Sequence, residues 1–424
     1  MQTRIRFKGW PAAVITLGAF VLQFVAPSKV WALITVALGL ALVVALVWAK
    51  SLQHGITLTR ERRYAWAQVG DRLEERFSLR NTSLLPALWV EIADGSTLPD
   101  YTASRVTGLG SNTAARWRTG GVCTRRGIFQ LGPLRVRLGD PLGLVDVEQY
   151  YPNTVDFMVV PPVFPLPALT VADRGLAGEH ASDPFSLSRS QAAAAVRPFQ
   201  PGDPLTKIHW PTTARRNSFY TRRMEATSSG EWWLALDLDS HTHSGRNHTS
   251  TLEKAILVAS SLADRGLAQH RAVGLLAQGE HAIWMPPLAA PLQRWQILKA
   301  LAQASVGQLS LDRLLARLHE AISNNASLVV ITASTRLNWL DPLLLLARRG
   351  IAPTVVLLFT TQTRAAHQAA HRILVSQGIQ THLVDQSAVT PPLPEHAAGQ
   401  WQWRVTGTGK AIPIHKPQGR WQKL

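Results

Sequence analysis

A chain of 424 residues is long enough for two or three domains with their own cores, and 46% hydrophobic content is ordinary for a globular protein. A single cysteine, Cys123, excludes an intramolecular disulfide and a multi-cysteine zinc site, and suits a reducing compartment. A formal charge of +17 implies attraction to polyanions: nucleic acid, anionic lipid or an acidic partner surface.

The hydrophobic content is unevenly spread. Residues 10–49 carry one charge, Lys29. Val30 to Ala49 is uncharged and, as a helix, reaches about 30 Å, the thickness of a hydrocarbon core. Trp31 and Trp48 stand near its ends, where interfacial aromatics belong. Trp10 to Ala26 is a second, shorter apolar run, joined to the first through Pro27, Ser28 and Lys29. Neither run has a polar face to show water, and no small-x-small cleavage site separates them from a mature start. Residues 1–50 are therefore expected to form a two-helix transmembrane hairpin. Arg4, Arg6 and Lys8 precede it, and Lys50, Arg60, Arg62 and Arg63 follow it. Positive-inside bias puts both ends in the cytoplasm. The expectation is a multi-pass plasma-membrane protein with most of its chain cytoplasmic and part of its charge facing anionic lipid headgroups.

From 51 to 162 the texture is short alternating runs, such as ITLTRERRYAW, LEERFSLRN and LWVEIAD, broken by Gly and Pro. This predicts a β-sandwich of immunoglobulin-like type. Residues 163–195, with Pro165, Pro167, Gly175, Gly178 and many serines, read as a linker. Residues 196–230 form a dense basic segment. Asp203, Lys207, Arg215, Arg216, Arg222 and Arg223 are its candidates for binding a partner or an anion through charge-assisted bonds. The architectural alternative makes Gly202-Asp203 a turn, buries Trp210 and pairs the arginines inside the fold.

Residues 231–390 alternate strand and helix. WWLALDLD reads as a buried parallel strand ending in Asp237 and Asp239. Ser250 or Thr251 opens a helix, RAVGLLAQ is a strand, and LQRWQILKALAQA and LDRLLARLHEAIS are helices. SLVVITAS and APTVVLLFT are further buried strands, with PLLLLARRG a helix between them. RAAHQAAHRILVSQG and THLVD close the series, and 391–424 is a C-terminal tail. Repeated alternation implies a doubly wound parallel sheet, whose sites lie beyond the carboxyl ends of the strands. His241, His243 and His248 have spacing open to zinc or nickel, against which the polar, glycine-containing loop HTHSGRNH reads as solvated.

Three stretches carry a resemblance: RRGIFQLGPLRVRLGDPLGLV, RPFQPGDPLTKIHWPTTARR with FYTRRME, and the WWLALDLD strand. Together with the apolar N-terminal runs, they resemble the membrane-anchored prokaryotic family of domain of unknown function 58. The resemblance implies a von Willebrand factor A-like C-terminal domain, a scaffold or adaptor role beside MoxR-type AAA+ ATPases and other membrane proteins, and no enzymatic activity. It also implies a metal-ion-dependent adhesion site of Asp-x-Ser-x-Ser form. Here Asp237 matches, Asp239 and His241 replace the serines, and Ala333 and Ser334 stand where a later Asp belongs. The expected site is degenerate, with Asp237, Asp239 and Ser240 as its remaining ligands and Mg²⁺ as the candidate cation. No Walker phosphate loop, Gly-x-Ser-x-Gly elbow or His-Glu-x-x-His occurs; Gly407 to Lys410 lacks the earlier Gly and the following Ser or Thr of a phosphate loop. A metal-dependent hydrolase at Asp237 and Asp239 is the enzymatic alternative. The charge prompts a further alternative, a basic protein that binds nucleic acid or anionic lipid; against nucleic acid, the basic residues are spread along the chain rather than gathered beside aromatic platforms, so no nucleic-acid partner is expected.

Overall fold

The computed structural model describes residues 2–166, 169–172, 193–199, 208–216, 218–224, 230–245, 250–319, 321–323, 326–387, 389, 401–405, 411–415 and 422–423. It divides into two units: Met1–Phe164 with Leu298–Ala304 and Pro391–Leu424, and Pro165–Ile297 with Ser305–Thr390. The whole is mixed α/β, with a β-rich N-terminal region.

The first unit begins with β1 (Gln2–Phe7), α1 (Trp10–Val25) and α2 (Lys29–Gly55). The Ser28 side chain caps α2 by accepting from the Val30 amide at 3.2 Å. Of the two helices, α2 is long and apolar enough to cross a membrane, while α1 is shorter. Strands β2 (Ile56–Arg62), β3 (Trp66–Gln68), β4 (Arg72–Asn81), β5 (Ala87–Asp94), β6 (Arg105–Leu109) and β7 (Ala114–Val122) follow. After them come β8 (Gly127–Leu131), β9 (Leu134–Gly139), β10 (Val145–Tyr151) and β11 (Val155–Val160). One sheet has the order β1-β10-β9-β5-β6, and a smaller one has β3-β11-β8. Alternation drives the packing: Leu73, Glu75, Phe77, Leu79 and Asn81 of β4 all turn inward. They share one core with Val90, Ile92, Val136, Leu138 and Val147 from the facing sheet, and with Ala45, Ala49 and Leu52 of α2.

The first strand was not legible in the sequence. Its residues read as the start of a membrane hairpin, yet β1 pairs antiparallel with β10 from Gln2↔Tyr150 to Phe7↔Val145. Arg6 and Lys8 pair there with Glu148 (3.3 Å) and Asp146 (2.5 Å). Arg60, another of the flanking charges, lies inside the unit. It forms a bidentate bond to the fully buried Glu75 at 2.8 and 2.7 Å, and Tyr101 donates its hydroxyl to the same carboxylate. Burial by itself would lower the Arg60 pKa, but the bond and charge of Glu75 more than reverse this, so it is raised. Burial, then the Glu75 charge, push the Tyr101 phenol well up.

The second unit contains β12 (Ala193–Pro198), α3 (Trp210–Arg216), β13 (Tyr220–Met224), β14 (Trp232–Leu236), α4 (Thr251–Ala268), β15 (Val273–Gln278) and β16 (Ala282–Leu288). It continues with α5 (Pro291–Gln303), α6 (Leu311–Leu318), β17 (Ser327–Thr332), α7 (Leu340–Arg348), β18 (Ala352–Phe359), α8 (Arg364–Ser376) and β19 (Gln380–Asp385). A six-stranded sheet runs β16-β15-β14-β17-β18-β19, all parallel except the β15–β16 pair. The antiparallel edge strand β16 was missed in the sequence because Pro286 and Pro287 sit within it; an edge position tolerates them. Ser250 caps α4, accepting from Glu253 N at 3.2 Å. Trp233, Leu328, Val330, Val355 and Leu357 face α6, α7 and α8 in one core cluster. The basic segment is a β12–β13 hairpin with α3 between its strands.

The region read as a tail also carries strands. β20 (Trp401–Val405) pairs with β21 (Ala411–His415), and β22 (Gln422–Lys423) joins β2, completing a sheet β22-β2-β4-β7.

Removing Glu75 leaves buried Arg60 with only the longer Asp94 contact at 3.7 Å, and should cost about 3 kcal/mol, the lower end of the range for breaking a buried pair. Glu75→Gln should lower the unfolding free energy by that amount in chemical denaturation of the full chain. A loss below about 1 kcal/mol, the scale of an exposed pair, would contradict this.

Candidate functional site

The parallel sheet reverses its order at β14, which has β15 on one side and β17 on the other. The crevice beyond the carboxyl end of such a strand is where sheets of this kind place ligands. Asp237 follows β14 directly and is only 1% exposed. Its Oδ1 accepts from the Asp239 amide at 3.0 Å, and its Oδ2 accepts from the Thr332 hydroxyl at 2.6 Å. Thr332 Oγ1 in turn accepts from the Ser334 amide at 2.9 Å. The Asp237 carbonyl accepts from His243 Nε2 at 2.8 Å, and His243 Nδ1 faces the Thr251 hydroxyl at 3.2 Å. Asp237 therefore knots the ends of β14 and β17 to the start of α4.

Asp239 is 9% exposed, and its Oδ1 accepts from the His241 amide at 3.0 Å. Ser240 is exposed, and its amide donates to the Gly307 carbonyl at 2.9 Å, while Gly307 N returns a bond to Leu238 O at 2.8 Å. This lacing needs Gly279, where a Cβ would lie 1.9 Å from the Ser305 carbonyl oxygen. In the first turn of α8, the buried His367 has Nδ1 2.9 Å from the Thr363 carbonyl and Nε2 3.1 Å from that of Ala333. Sequence reasoning missed this residue, because a histidine inside an amphipathic helix gives no sign of its role.

These residues fit a divalent cation poorly. Both Asp237 oxygens are committed to protein donors, and Asp239 gives one carboxylate oxygen to a backbone amide. No group of three or more His, Cys, Asp or Glu residues with metal-ligand geometry occurs among the described residues. His241 and His243 lie in the same loop, but His243 is turned onto the Asp237 carbonyl; His248 lies outside the described residues. What the rim presents to solvent is Ser240 and His241, Thr335 and Arg336, and Thr361 and Gln362.

The basic segment divides similarly. Arg215 and Arg216 are exposed on α3, and Arg216 donates to the Tyr220 hydroxyl at 3.5 Å. Trp210 is 64% exposed at the first turn of a short helix, which contradicts its burial in the architectural alternative. Arg222 and Arg223 lie on β13, whereas Asp203, Lys207 and the Gly407 to Lys410 stretch lie outside the described residues. In the first unit, a cleft of ≈ 320 Å³ is lined by Gln2, Arg4, Arg6, Arg135, Glu148 and Tyr150.

Residues 195–357 match the family model described as "Protein of unknown function DUF58". The match spans the basic hairpin and the sheet as far as β18. A curated relative, the "Uncharacterized protein YeaD" of Bacillus subtilis, is 29% identical over 159 residues, 37% of this chain and 37% of the relative. The chain thus aligns with little more than a third of that protein's length. Among solved structures, the CARDB domain of a Pyrococcus furiosus protein is 13% identical with a TM-score of 0.18, covering 25% of this chain and 90% of that one. A human complex of zinc 2-glycoprotein and prolactin-inducible protein gives 12% and 0.20, covering 25% and 96%. Scores this low carry no argument about the fold.

Burial pushes the Asp237 carboxyl above the usual carboxylate range, and the donors from Thr332 and Asp239 offset only part of that. An acid that holds its proton more tightly when folded stabilises the fold at low pH. That contribution is lost as pH rises from about 4, the unfolded value, through the raised folded value. Asp237→Asn removes the titration, so the variant's stability relative to wild type should improve with pH across this window in stepwise denaturation. A difference that stays constant with pH would contradict the assignment.

Proposed function

We propose that this protein is a non-catalytic adaptor held at the plasma membrane by α1 and α2, with the rest of its chain in the cytoplasm, and that the rim beyond β14 and β17 docks a protein partner. The observation that carries the anchor is the pairing of β1 with β10. A strand before the helices and a strand after them share one sheet, so the two outer ends of the helix pair must lie on the same side of a bilayer. Val14, Ile15, Leu17 and Phe20 of α1 and Val30, Leu33, Val36 and Leu40 of α2 are exposed, an apolar surface suited to lipid rather than water.

The sheet order, with one antiparallel edge strand, supports reading the second unit as a von Willebrand factor A-like domain, and the two facing sheets support reading the first as an immunoglobulin-like sandwich. The adaptor reading is favoured over the hydrolase because Asp237 is committed to holding the loop. Each of its carboxylate oxygens already accepts from a protein donor, which supports a structural role over a catalytic one. The partner this reading favours is a MoxR-type AAA+ ATPase, in keeping with the resemblance of the chain to family 58.

The test reconstitutes the full chain in nanodiscs and measures binding of a purified MoxR-type ATPase from the same organism. Saturable binding is expected. Ser240→Arg with Arg336→Glu, both at exposed rim positions, should weaken it about tenfold or more, about 1.4 kcal/mol, without changing the melting temperature. Undiminished binding by this variant would remove the rim as the docking face. Turnover of a substrate that is abolished by Asp239→Asn would favour the hydrolase instead.

A further inference from the structure

Three of the β-strand connections in the first unit converge where the apolar helices leave it. The loop 82–86 joins β4 to β5, the loop 110–113 joins β6 to β7, and the loop 140–144 joins β9 to β10. The first is bound to the end of α2: Thr82 N donates to Gly55 O at 2.9 Å, and Trp48 Nε1 donates to Pro86 O at 3.1 Å. The second is tied to the first, with Asn112 N donating to Ser83 O at 3.2 Å. The third is bound to the start of α1, where Lys8 N and Gly9 N both donate to Leu144 O, at 2.8 and 2.9 Å. These loops therefore sit level with the roots of both helices.

Two of them present a leucine to the outside. Leu84 is 89% exposed at the tip of Ser83-Leu84-Leu85, and Leu142 is 55% exposed in Pro141-Leu142-Gly143. The exposed apolar surface of α2 runs from Val30 to Val47, about 27 Å as a helix and close to the roughly 30 Å of a hydrocarbon layer. Leu46 and Val47 stay exposed although Ala45 and Ala49 beside them are buried in the unit's core. To cover Val47, lipid must reach the level of Trp48, and hence of the loop bonded to it. At the other helix, Trp10 is exposed one residue after Gly9, at the level of the 140–144 loop.

We propose that this end of the first unit is itself a bilayer-contact surface, with Leu84 and Leu142 inserted at the boundary between headgroups and acyl chains. The partner is the bilayer that holds α1 and α2, so the inference rests on the membrane-anchor reading. Apolar side chains on a rigid loop collar, beside an interfacial Trp, suit that depth. The collar would fix the β-rich unit upright on the membrane rather than leave it swinging on the helices.

The test uses the full chain in proteoliposomes, with an environment-sensitive thiol fluorophore placed singly by Leu84→Cys, Leu142→Cys, Thr154→Cys or Val36→Cys. Cys123 is buried and gives a low background. Thr154 is exposed in the loop between β10 and β11, at the opposite end of the strands. Lipids carrying a nitroxide near the acyl carbonyl should quench the labels at 84 and 142 about threefold or more over the label at 154, as expected of groups about 5–10 Å into the interface. A nitroxide deep in the chain should quench the label at 36. Quenching at 36 with 84 and 142 no different from 154 would overturn the collar and leave the anchor standing. No quenching at 36 would overturn both.

Discussion

The antiparallel pairing of β1 with β10 is the constraint on which the N-terminal half depends. It closes a loop of chain: a strand leaves the sheet, two apolar helices follow, and the chain returns to build the sheet that the strand already belongs to. Six residues of β-ladder, with the Lys8–Asp146 ion pair at one end, hold that closure. Burial of Ala45, Ala49 and Leu52 in the sheet core makes α2 a rigid extension of the unit rather than a flexible leash. Helix α2 and the sheets form one packed core.

The second unit solves a different problem. Its sheet places the ends of β14 and β17 side by side, and one buried carboxylate binds the loops that follow them. Burying a charge is costly unless it is fully hydrogen-bonded. Asp237 offsets part of that cost with one protein donor on each carboxylate oxygen, while its carbonyl holds His243. Each of its oxygens already accepts from a protein donor that ties loops together, which fits a structural role. An acidic strand end has become a structural knot by geometry, with Ser240 and His241 exposed beside it.

The elements of the second unit were largely legible because buried parallel strands are short continuous apolar runs between amphipathic helices. WWLAL, SLVVIT and APTVVLLF each became a strand of the sheet, and Ser250 capped the helix it was expected to open. The failures have physical causes. Gln2 to Phe7 reads as a charged flank, because its partner strand lies more than a hundred residues away and its arginines resemble topogenic charge. Arg60 reads the same way, although it is neutralised by a carboxylate inside the core. β16 was hidden by its prolines. At the site, Asp237 and Asp239 were found by position at a strand end, but the spacing could not show that Thr332 would use the second oxygen of Asp237. His367 gave no signal, because both its partners are backbone carbonyls.

The most direct test of the account is sidedness in intact cells and in spheroplasts permeabilised from the inner face. Gln2→Cys, Ser28→Cys and Thr154→Cys, in separate full-length variants, would be challenged with a membrane-impermeant maleimide. The account predicts that Gln2→Cys and Thr154→Cys react only when the cytoplasmic face is opened, and that Ser28→Cys, at the turn between the helices, does not react from that face. Labelling of Gln2→Cys and Thr154→Cys from opposite sides would contradict it.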